Sequence, residues 1–299
     1  MTYSFLRPDL QPDTRTALPY IPRMIWQVTS PQRLADPRIA EAIDKLRKQN
    51  PEWSHNCLLD SEIEPYVQQV GSDRLLRALR RLSPDYPQAR SDIYRYLRLF
   101  LSGGVYFDDK SGASRPLDAI IHPDDRFLIA QHTVRKRESF AEKLRSQIGG
   151  VEGGEFLNWF IASAPGHPFL ARVLETLIQK IEGYSPLFSS TGKRAVLELT
   201  GPLMYTKAIA PIRAQHPHRM LKDATEGLLY SRLPDTTSHE MMPTRHYSTL
   251  YTPPVTPDGL GPVRRLRFEV EKLLVAPIAT VRRLNGQRLR RRWARKRSG

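Results

Sequence analysis

Short apolar runs alternate with segments of helical spacing, and this alternation predicts an α/β fold with a largely parallel central sheet. Residues 23–28 and 105–107 have the length and composition of buried strands. Residues 87–102 carry one continuous apolar helical face, and Gly103 and Gly104 follow its last position. Because glycine commonly ends a helix, these two residues separate that helix from the strand after it.

In the first half of the chain, each element follows from periodicity and from its boundary residues. Residues 35–49 have helical spacing through Ile39, Ala42 and Leu46, with Pro51 beyond the end. Cys57 lies in an alternating segment and is predicted to be a buried strand residue. Strands are predicted over residues 23–28, 53–59, 105–107 and 126–131, and helices over residues 35–49, 63–70, 74–82 and 87–102.

The second half has weaker patterns, and the two ends of the chain differ from its body. We predict an apolar run over 156–163, helices over 169–181 and 202–212, and a short strand over 228–233. Residues 1–20 are rich in Pro, Thr and Asp, which is typical of a poorly structured lead-in. The predicted organisation is a lead-in over 1–20, an α/β domain over 21–258 and a basic amphipathic extension over 259–299.

Charge and cysteine content limit the classes of function. The net charge is +15, but residues 263–299 hold 13 Lys or Arg against 2 Asp or Glu, so the body is nearly balanced. The single cysteine excludes a disulfide within the chain and disfavours a cysteine-based zinc site. No secretory signal or membrane-spanning stretch is visible, so we expect a cytoplasmic protein.

The chemistry-bearing residues are concentrated between positions 91 and 111. Asp92 and Arg95 are three residues apart and share a helix face, and Asp108 and Lys110 follow the next strand. Carboxylates can bind ribose hydroxyls or a divalent metal, whereas Arg and Lys bind diphosphate oxygens. The alternative is a surface ion pair beside an ordinary turn, and spacing alone does not decide between the two.

A set of motifs over residues 20–250 resembles glycosyltransferase family 32, in the order in which that family carries them. They are Ile21-Pro-Arg-Met-Ile-Trp-Gln27, Ser91-Asp92-x-x-Arg95-Tyr96, Gly103-Gly-Val-Tyr-x-Asp108, Arg115-Pro-Leu-Asp118, Asn158-Trp-Phe-Ile161, Pro165-Gly-His-Pro168, Thr200-Gly-Pro202 and His246-Tyr247. The resemblance implies a GT-A fold, a UDP- or GDP-linked sugar donor, and transfer with retention at the anomeric carbon.

The resemblance also implies roles for individual residues. Trp26 and Gln27 would line the nucleotide pocket, Asp92 would hold ribose or sugar hydroxyls, and Arg95 would contact sugar or phosphate. Asp108 matches the first aspartate of the DXD motif. The remaining candidates for donor binding are Ser91, Tyr106, Asp109 and Asn158, although Asn158 is equally well explained as the cap of a turn.

The sequence departs from the family pattern at the second DXD aspartate, where it has Lys110. Lysine has no lone pair for a metal ion. Either Lys110 binds the diphosphate directly and replaces part of the metal's charge, or Asp108 still holds Mn²⁺ or Mg²⁺ with water and another ligand, for which His246 is the candidate. We expect weakened or altered metal dependence, with Asp108, Lys110 and Arg95 as the catalytic residues.

The extension mixes apolar residues with many arginines, which favours contact with an anionic membrane surface. Nucleic-acid binding is disfavoured, because Tyr and Phe are not interleaved as stacking platforms. We therefore expect a peripheral enzyme of surface polysaccharide synthesis, such as capsule synthesis, acting on a glycan or lipid-linked glycan. The rivals are a degenerate, non-catalytic nucleotide-sugar binder and a basic surface-binding protein with an incidental α/β body.

Overall fold

The computed structural model describes residues 2–10, 19–132, 151–152, 154–233 and 250–276. Its centre is a six-stranded sheet in the order β2-β1-β3-β6-β5-β7, in which only β6 runs against the other five strands. A second sheet pairs β4 with β8. The strands are β1 Met24–Thr29, β2 Ser54–Leu59, β3 Gly104–Phe107, β4 Gly112–Ala113, β5 Phe127–Gln131, β6 Phe160–Ser163, β7 Arg219–Lys222 and β8 Leu228–Leu229. This is the α/β fold with a largely parallel central sheet that the sequence predicts.

The helices connect these strands and cover the sheet. They are α1 Pro31–Leu34, α2 Pro37–Gln49, α3 Ile63–Val70, α4 Asp73–Arg80, α5 Pro87–Ser102, α6 Pro168–Glu182, α7 Gly192–Leu199, α8 Pro202–Ile209, α9 Asp223–Glu226 and α10 over residues 262–276. Within the described residues, no helix is both long and apolar enough to cross a bilayer.

Alternating side chains of the strands build two cores, one on each face of the sheet. Trp26 of β1 packs into the larger core with α3 to α8, whereas its neighbour Ile25 packs into the smaller core with Leu46 of α2. Tyr106 and Val105 of β3 divide in the same way. Both faces are therefore covered, as a mostly parallel sheet requires.

The turn from α5 to β3 depends on its two glycines. Gly103 and Gly104 have φ angles of 64° and 98°, a region that other residues rarely adopt. A Cβ on Gly104 would lie 2.6 Å from the carbonyl oxygen of Met24. The Trp26 indole donates a hydrogen bond of 2.8 Å to the Gly103 carbonyl and fixes the turn against β1.

Two predictions at the margins of the fold are wrong. Residues 2–10 are not a loose lead-in, because Phe5 and Leu6 are buried and Leu6 pairs with Gly71; residues 11–18 lie outside the described part of the chain. Cys57 lies in a strand as predicted but is exposed. Its strand, β2, is at the edge of the sheet, where fewer neighbours cover the side chains.

Candidate active site

The carboxyl edge of the sheet collects the predicted residues, because β6 is reversed. Phe107 at the end of β3 is paired with Phe160 at the start of β6. The residues after β3 and before β6 are therefore neighbours, and the Asp108 backbone N–H donates to the Trp159 carbonyl at 3.0 Å. Ligands of open α/β sheets bind at this edge.

Asp92 and Arg95 form a buried ion pair, and Arg95 also reaches Asp108. The Arg95 Nε lies 3.3 Å from Asp92 Oδ1, and its Nη2 lies 3.0 Å from Asp108 Oδ1. The guanidinium lies 4.4 Å from the centre of the Tyr106 ring and also donates to the Asn158 carbonyl. The side chains of both Asp92 and Arg95 are 6% exposed, which excludes the simple surface pair that spacing alone allowed.

Side chains from two other elements complete the bonding of Asp92. Asn158 Nδ2 donates to Oδ1 at 3.0 Å and Thr200 Oγ1 donates to Oδ2 at 2.7 Å. Burial raises the pKa of Asp92 to about 7, although the Arg95 charge and these hydrogen bonds oppose the rise. Asp92, Arg95, Asn158 and Thr200 are called the buried network below. Asn158 therefore connects the segment before β6 to α5, so its role is more than that of a turn cap.

Asp109 is engaged by an arginine that sequence reasoning missed. Arg33 of α1 donates to both carboxylate oxygens of Asp109 at 2.5 Å, and Thr29 donates to Oδ2 at 3.0 Å. Burial works against the charge of Arg33, but the Asp109 carboxylate raises the pKa of Arg33 above its usual value. One signal was present: Arg33 follows the carboxyl end of the first predicted strand.

Lys110 lies against a tyrosine that is distant from it in the sequence. Its Nζ is 4.3 Å from the centre of the Tyr230 ring, and that ring is 5.6 Å from the ring of Trp159. Burial lowers the pKa of Lys110, and the nearby Asp108 carboxylate opposes the change. The loop around Tyr230 is hydrogen-bonded to this segment, since Ser111 Oγ donates to the Tyr230 carbonyl at 2.6 Å. Asp108, Lys110, Trp159 and Tyr230 are called the loop cluster below.

One buried donor in the loop cluster has no hydrogen-bond partner among the described residues. The indole N–H of Trp159 is buried and makes no hydrogen bond there. Asp108 is the most accessible carboxylate of the site, with a side chain that is 29% exposed, against 6% for Asp92 and Asp109. A bound ligand would therefore meet Asp108 before it meets the other two.

The other predicted donor-site residues brace the site or lie beside it. Gln27 Nε2 donates to the Asp108 carbonyl at 3.2 Å, and Gln27 Oε1 lies 2.8 Å from His55 Nε2. Trp26 uses its N–H on the α5–β3 turn and packs its ring against Arg98 at 4.5 Å. Ser91 donates to a carbonyl of its own helix, one turn back. Gln27 thus positions the Asp108 backbone, and Ser91 is outside the buried network.

The described residues do not supply a divalent-cation site of the DXD kind. No group of three or more Asp, Glu, His or Cys side chains is assembled in the described part of the chain. Both oxygens of Asp109 face Arg33, one oxygen of Asp108 faces Arg95, and Lys110 occupies the place of the second aspartate. The predicted metal ligand His246 lies outside the described residues.

A family model matches part of this chain. Residues 36–128 match the family described as a glycosyltransferase sugar-binding region containing a DXD motif. The chain resembles the DXD-motif glycosyltransferases. The match includes Asp92, Arg95, Asp108 and Lys110, and it ends before Asn158.

Two curated relatives of the chain come from yeasts. The chain is 25% identical over 201 residues to the initiation-specific alpha-1,6-mannosyltransferase of Schizosaccharomyces pombe, covering 63% of this chain and 48% of the relative. It is 24% identical over 210 residues to the protein of the same name from Candida albicans, covering 63% and 52%. The chain thus spans about half the length of these relatives.

Among solved structures, the chain is similar to the PaToxG glycosyltransferase. That likeness has a TM-score of 0.42 and 18% sequence identity, and it covers 64% of this chain and 70% of the other.

Proposed function

We propose that this chain transfers a sugar from a nucleotide-diphosphate sugar to a glycan or glycolipid acceptor, with retention at the anomeric carbon. The observation that carries the proposal is the buried network at the carboxyl edge of the sheet, which holds the Arg95 guanidinium between Asp92 and Asp108. Such a desolvated, fixed cation beside a more exposed carboxylate suits a ligand with both sugar hydroxyls and phosphate oxygens.

The contacts favour different roles for Asp92 and Asp108. Asp92 is enclosed and accepts bonds from Asn158, Thr200 and Arg95. Its role in our proposal is therefore to position Arg95 rather than to bind the donor itself. Asp108 is accessible, and it would accept hydrogen bonds from donor hydroxyls, with the unpartnered Trp159 N–H as an added donor to the ligand.

The leaving nucleoside diphosphate gains negative charge as its bond to the sugar breaks. Preorganised cations near that charge lower the barrier without reorganisation during the reaction. Arg95 and Lys110 have this role in the proposal, and Arg33 keeps Asp109 neutralised so that the site remains attractive to a diphosphate. A same-face attack assisted by the leaving phosphate needs no covalent nucleophile from the protein.

We propose weak metal dependence. Lys110 would balance part of the diphosphate charge that a cation would otherwise balance, and Arg33 already balances the charge of Asp109. Mn²⁺ or Mg²⁺, where bound, would add positive charge at the diphosphate, with Asp108 as the available carboxylate. Nucleotide release should therefore persist in EDTA. Loss of release in EDTA with full recovery in Mn²⁺ would contradict this part of the proposal.

The proposal also covers the acceptor and the cellular location of the protein. We propose a glycan or lipid-linked glycan of surface polysaccharide synthesis, capsule included, and a cytoplasmic enzyme bound peripherally to the inner face of a membrane. The basic residues after position 263 support an anionic membrane as a partner.

A non-catalytic nucleotide-sugar binder is the second candidate, and Lys110 at the second DXD position is the observation that favours it. The two candidates differ in turnover. An enzyme releases free nucleotide from its donor over many cycles, whereas a binder is stabilised by the donor and releases none.

The experiment is thermal unfolding with UDP, GDP and their common sugar conjugates, followed by a nucleotide-release assay with the conjugate that binds. A ligand at 100 times its Kd adds about 2.7 kcal/mol to the stability of the native state. We expect the unfolding midpoint to rise with the nucleotides of one base only. Asp108→Asn should reduce this rise, whereas the exposed control Asp124→Asn should leave it unchanged. A shift that Asp108→Asn leaves intact would remove Asp108 from the site, and no shift with any nucleotide would overturn the proposal.

A further inference from the structure

Helix α10 is fixed to the body by one narrow face. Phe268 is buried, and its ring centre lies 6.3 Å from that of Tyr184. Glu271 is also buried; it accepts a hydrogen bond of 2.5 Å from Ser185 Oγ and pairs with Arg267 at 2.7 Å. These contacts set the rotation of the helix and determine which side chains face away from the protein.

The opposite face of α10 is an apolar stripe without cover from the described residues. Its members occupy positions i, i+3, i+7, i+10 and i+11, which is the spacing of one helix face. Their exposure ranges from 47% to 82%, far more than a core-facing helix shows. The stripe consists of Val263, Leu266, Val270, Leu273 and Leu274.

A second exposed apolar element lies in the loop that contacts α10. The loop after α6 carries Phe188, which is 80% exposed, and Leu187, which is 43% exposed. The same loop is tied to α10, since Ser185 donates to Glu271. Ser185 also closes the loop on itself, because its Oγ accepts from the Phe188 backbone N–H at 3.3 Å. Phe188 is thus presented by an ordered turn next to the helix.

The charges around the surface identify the kind of partner. Helix α10 carries Arg264, Arg265, Arg267 and Lys272, and its one unburied acid is Glu269. The sequence beyond it, residues 277–299, holds nine Lys or Arg and no Asp or Glu. A helix that combines an exposed apolar face with mostly basic polar residues matches a bilayer with anionic headgroups.

We propose that the apolar stripe of α10, together with Leu187 and Phe188, is a docking surface for an anionic lipid bilayer. Phe188 and the stripe enter the boundary between headgroups and acyl chains, and the arginines contact lipid phosphates and carboxylates. The turn at Ser185 and the Phe268 anchor fix both apolar elements to the body of the domain. This inference rests on the peripheral membrane binding proposed above, but the binding needs no nucleotide sugar, so its failure and the failure of sugar transfer are separable.

Vesicle sedimentation of the full chain tests the docking surface. The probes are phosphatidylcholine vesicles with and without phosphatidylserine, at low and physiological salt, with no nucleotide present. We expect binding to the anionic vesicles only, and a loss of about tenfold or more in partitioning for Phe188→Ser combined with Leu266→Ser, since each change removes one exposed large apolar side chain from the bilayer. Met220→Ser, an exposed apolar residue on β7, is the matched control and should bind as the wild type does.

A spectroscopic variant separates insertion from simple electrostatic attraction. The tryptophan of Phe188→Trp should shift to shorter wavelength on anionic vesicles, relative to the wild-type background. Unchanged binding of the double variant would overturn the proposal, as would equal binding to neutral vesicles. The proposal would also be overturned if neither the wild type nor the double variant bound vesicles, and if the wild type were a dimer and the double variant a monomer. In that case the surface would bind a second copy of the chain. Circular dichroism and the unfolding midpoint should be unchanged in the double variant, because the substituted side chains face solvent.

Discussion

The buried network and the loop cluster meet at Asp108 but are built differently. In the buried network, Asp92 and Arg95 pair along α5, Asn158 and Thr200 donate to Asp92 from other elements, and both charged side chains are nearly inaccessible. In the loop cluster, Asp108 is partly exposed, Lys110 lies over the face of an aromatic ring, and the Trp159 N–H is unpartnered within the described residues. The first arrangement supplies rigidity, and the second leaves groups available to a ligand.

Breaking the buried network should have the largest effect, on stability as well as on activity. Arg95→Met removes the partner of a carboxylate that is buried, and uncompensated buried charges cost about 3–5 kcal/mol. We expect a loss of that size in urea unfolding, together with loss of turnover. Arg194→Met, which breaks an exposed pair with Glu198, should cost less than about 1 kcal/mol.

A double variant sharpens that test. Asp92→Asn combined with Arg95→Met removes both charges and should recover part of the stability lost in Arg95→Met. A double variant as unstable as the sum of the two single ones would show that the pair is not coupled, and that the network is not one unit.

Lys110→Met should leave stability nearly unchanged and lower nucleotide release by about a hundredfold, because it removes one preorganised cation from the leaving group. The measurement is turnover with saturating donor, alongside the thermal midpoint. Lys110→Asp, which restores the second aspartate of the DXD motif, is the companion variant. It should bind Mn²⁺ and become sensitive to EDTA, and no change in its response to Mn²⁺ would contradict the assignment of Lys110 as the charge replacement.

The protonation of Asp92 gives a pH dependence with a defined sign. Its folded pKa of about 7 lies above the ordinary value of 3.8, so the native state binds the proton more tightly than the unfolded chain does. The contribution of this group to stability is therefore greatest below pH 3.8 and falls as the pH rises towards 7. Relative to Asp92→Asn, the wild type should lose stability between pH 4.5 and pH 7.5 in urea unfolding; parallel curves would count against the raised pKa.

The smallest expected effect lies at Trp159. Trp159→Phe keeps an aromatic ring beside Tyr230 but removes the N–H together with part of the indole, so donor affinity should fall by about three- to tenfold, close to the contribution of one hydrogen bond. Isothermal titration with the conjugate identified by thermal unfolding measures it. An unchanged Kd would place this N–H outside the donor site, and the thermal midpoint without ligand serves as the control for folding.

Sequence reasoning predicted those parts of the molecule whose information is local. The helix over 87–102, its glycine end and the strand after it follow from spacing, and α5 Pro87–Ser102 has the predicted bounds. The pairing of Asp92 with Arg95 follows from their separation of three residues. These features need no knowledge of what lies across the fold.

The parts that were missed depend on partners far apart in the chain. Arg33 and Asp109 are 76 residues apart, and Ser111 and Tyr230 are 119 apart, so no periodicity links them. Strand β7 was missed because edge strands alternate poorly: Arg219 pairs with Asp125 instead of facing a core. The burial of Phe5 was not predicted, because the sequence around it is rich in Pro and Asp, which is typical of loops.

The reversed direction of β6 also bears on how this fold can change its specificity. Strand β5 ends and β6 begins at the same edge of the sheet, so the intervening segment leaves and rejoins the scaffold beside the site. Its return is fastened by Gln131, whose side chain donates to the carbonyls of Glu152 and Gly154 at 2.9 Å. Because both ends of this segment are held by described residues, its sequence can be exchanged for another while Arg95 and the sheet beneath it stay in place.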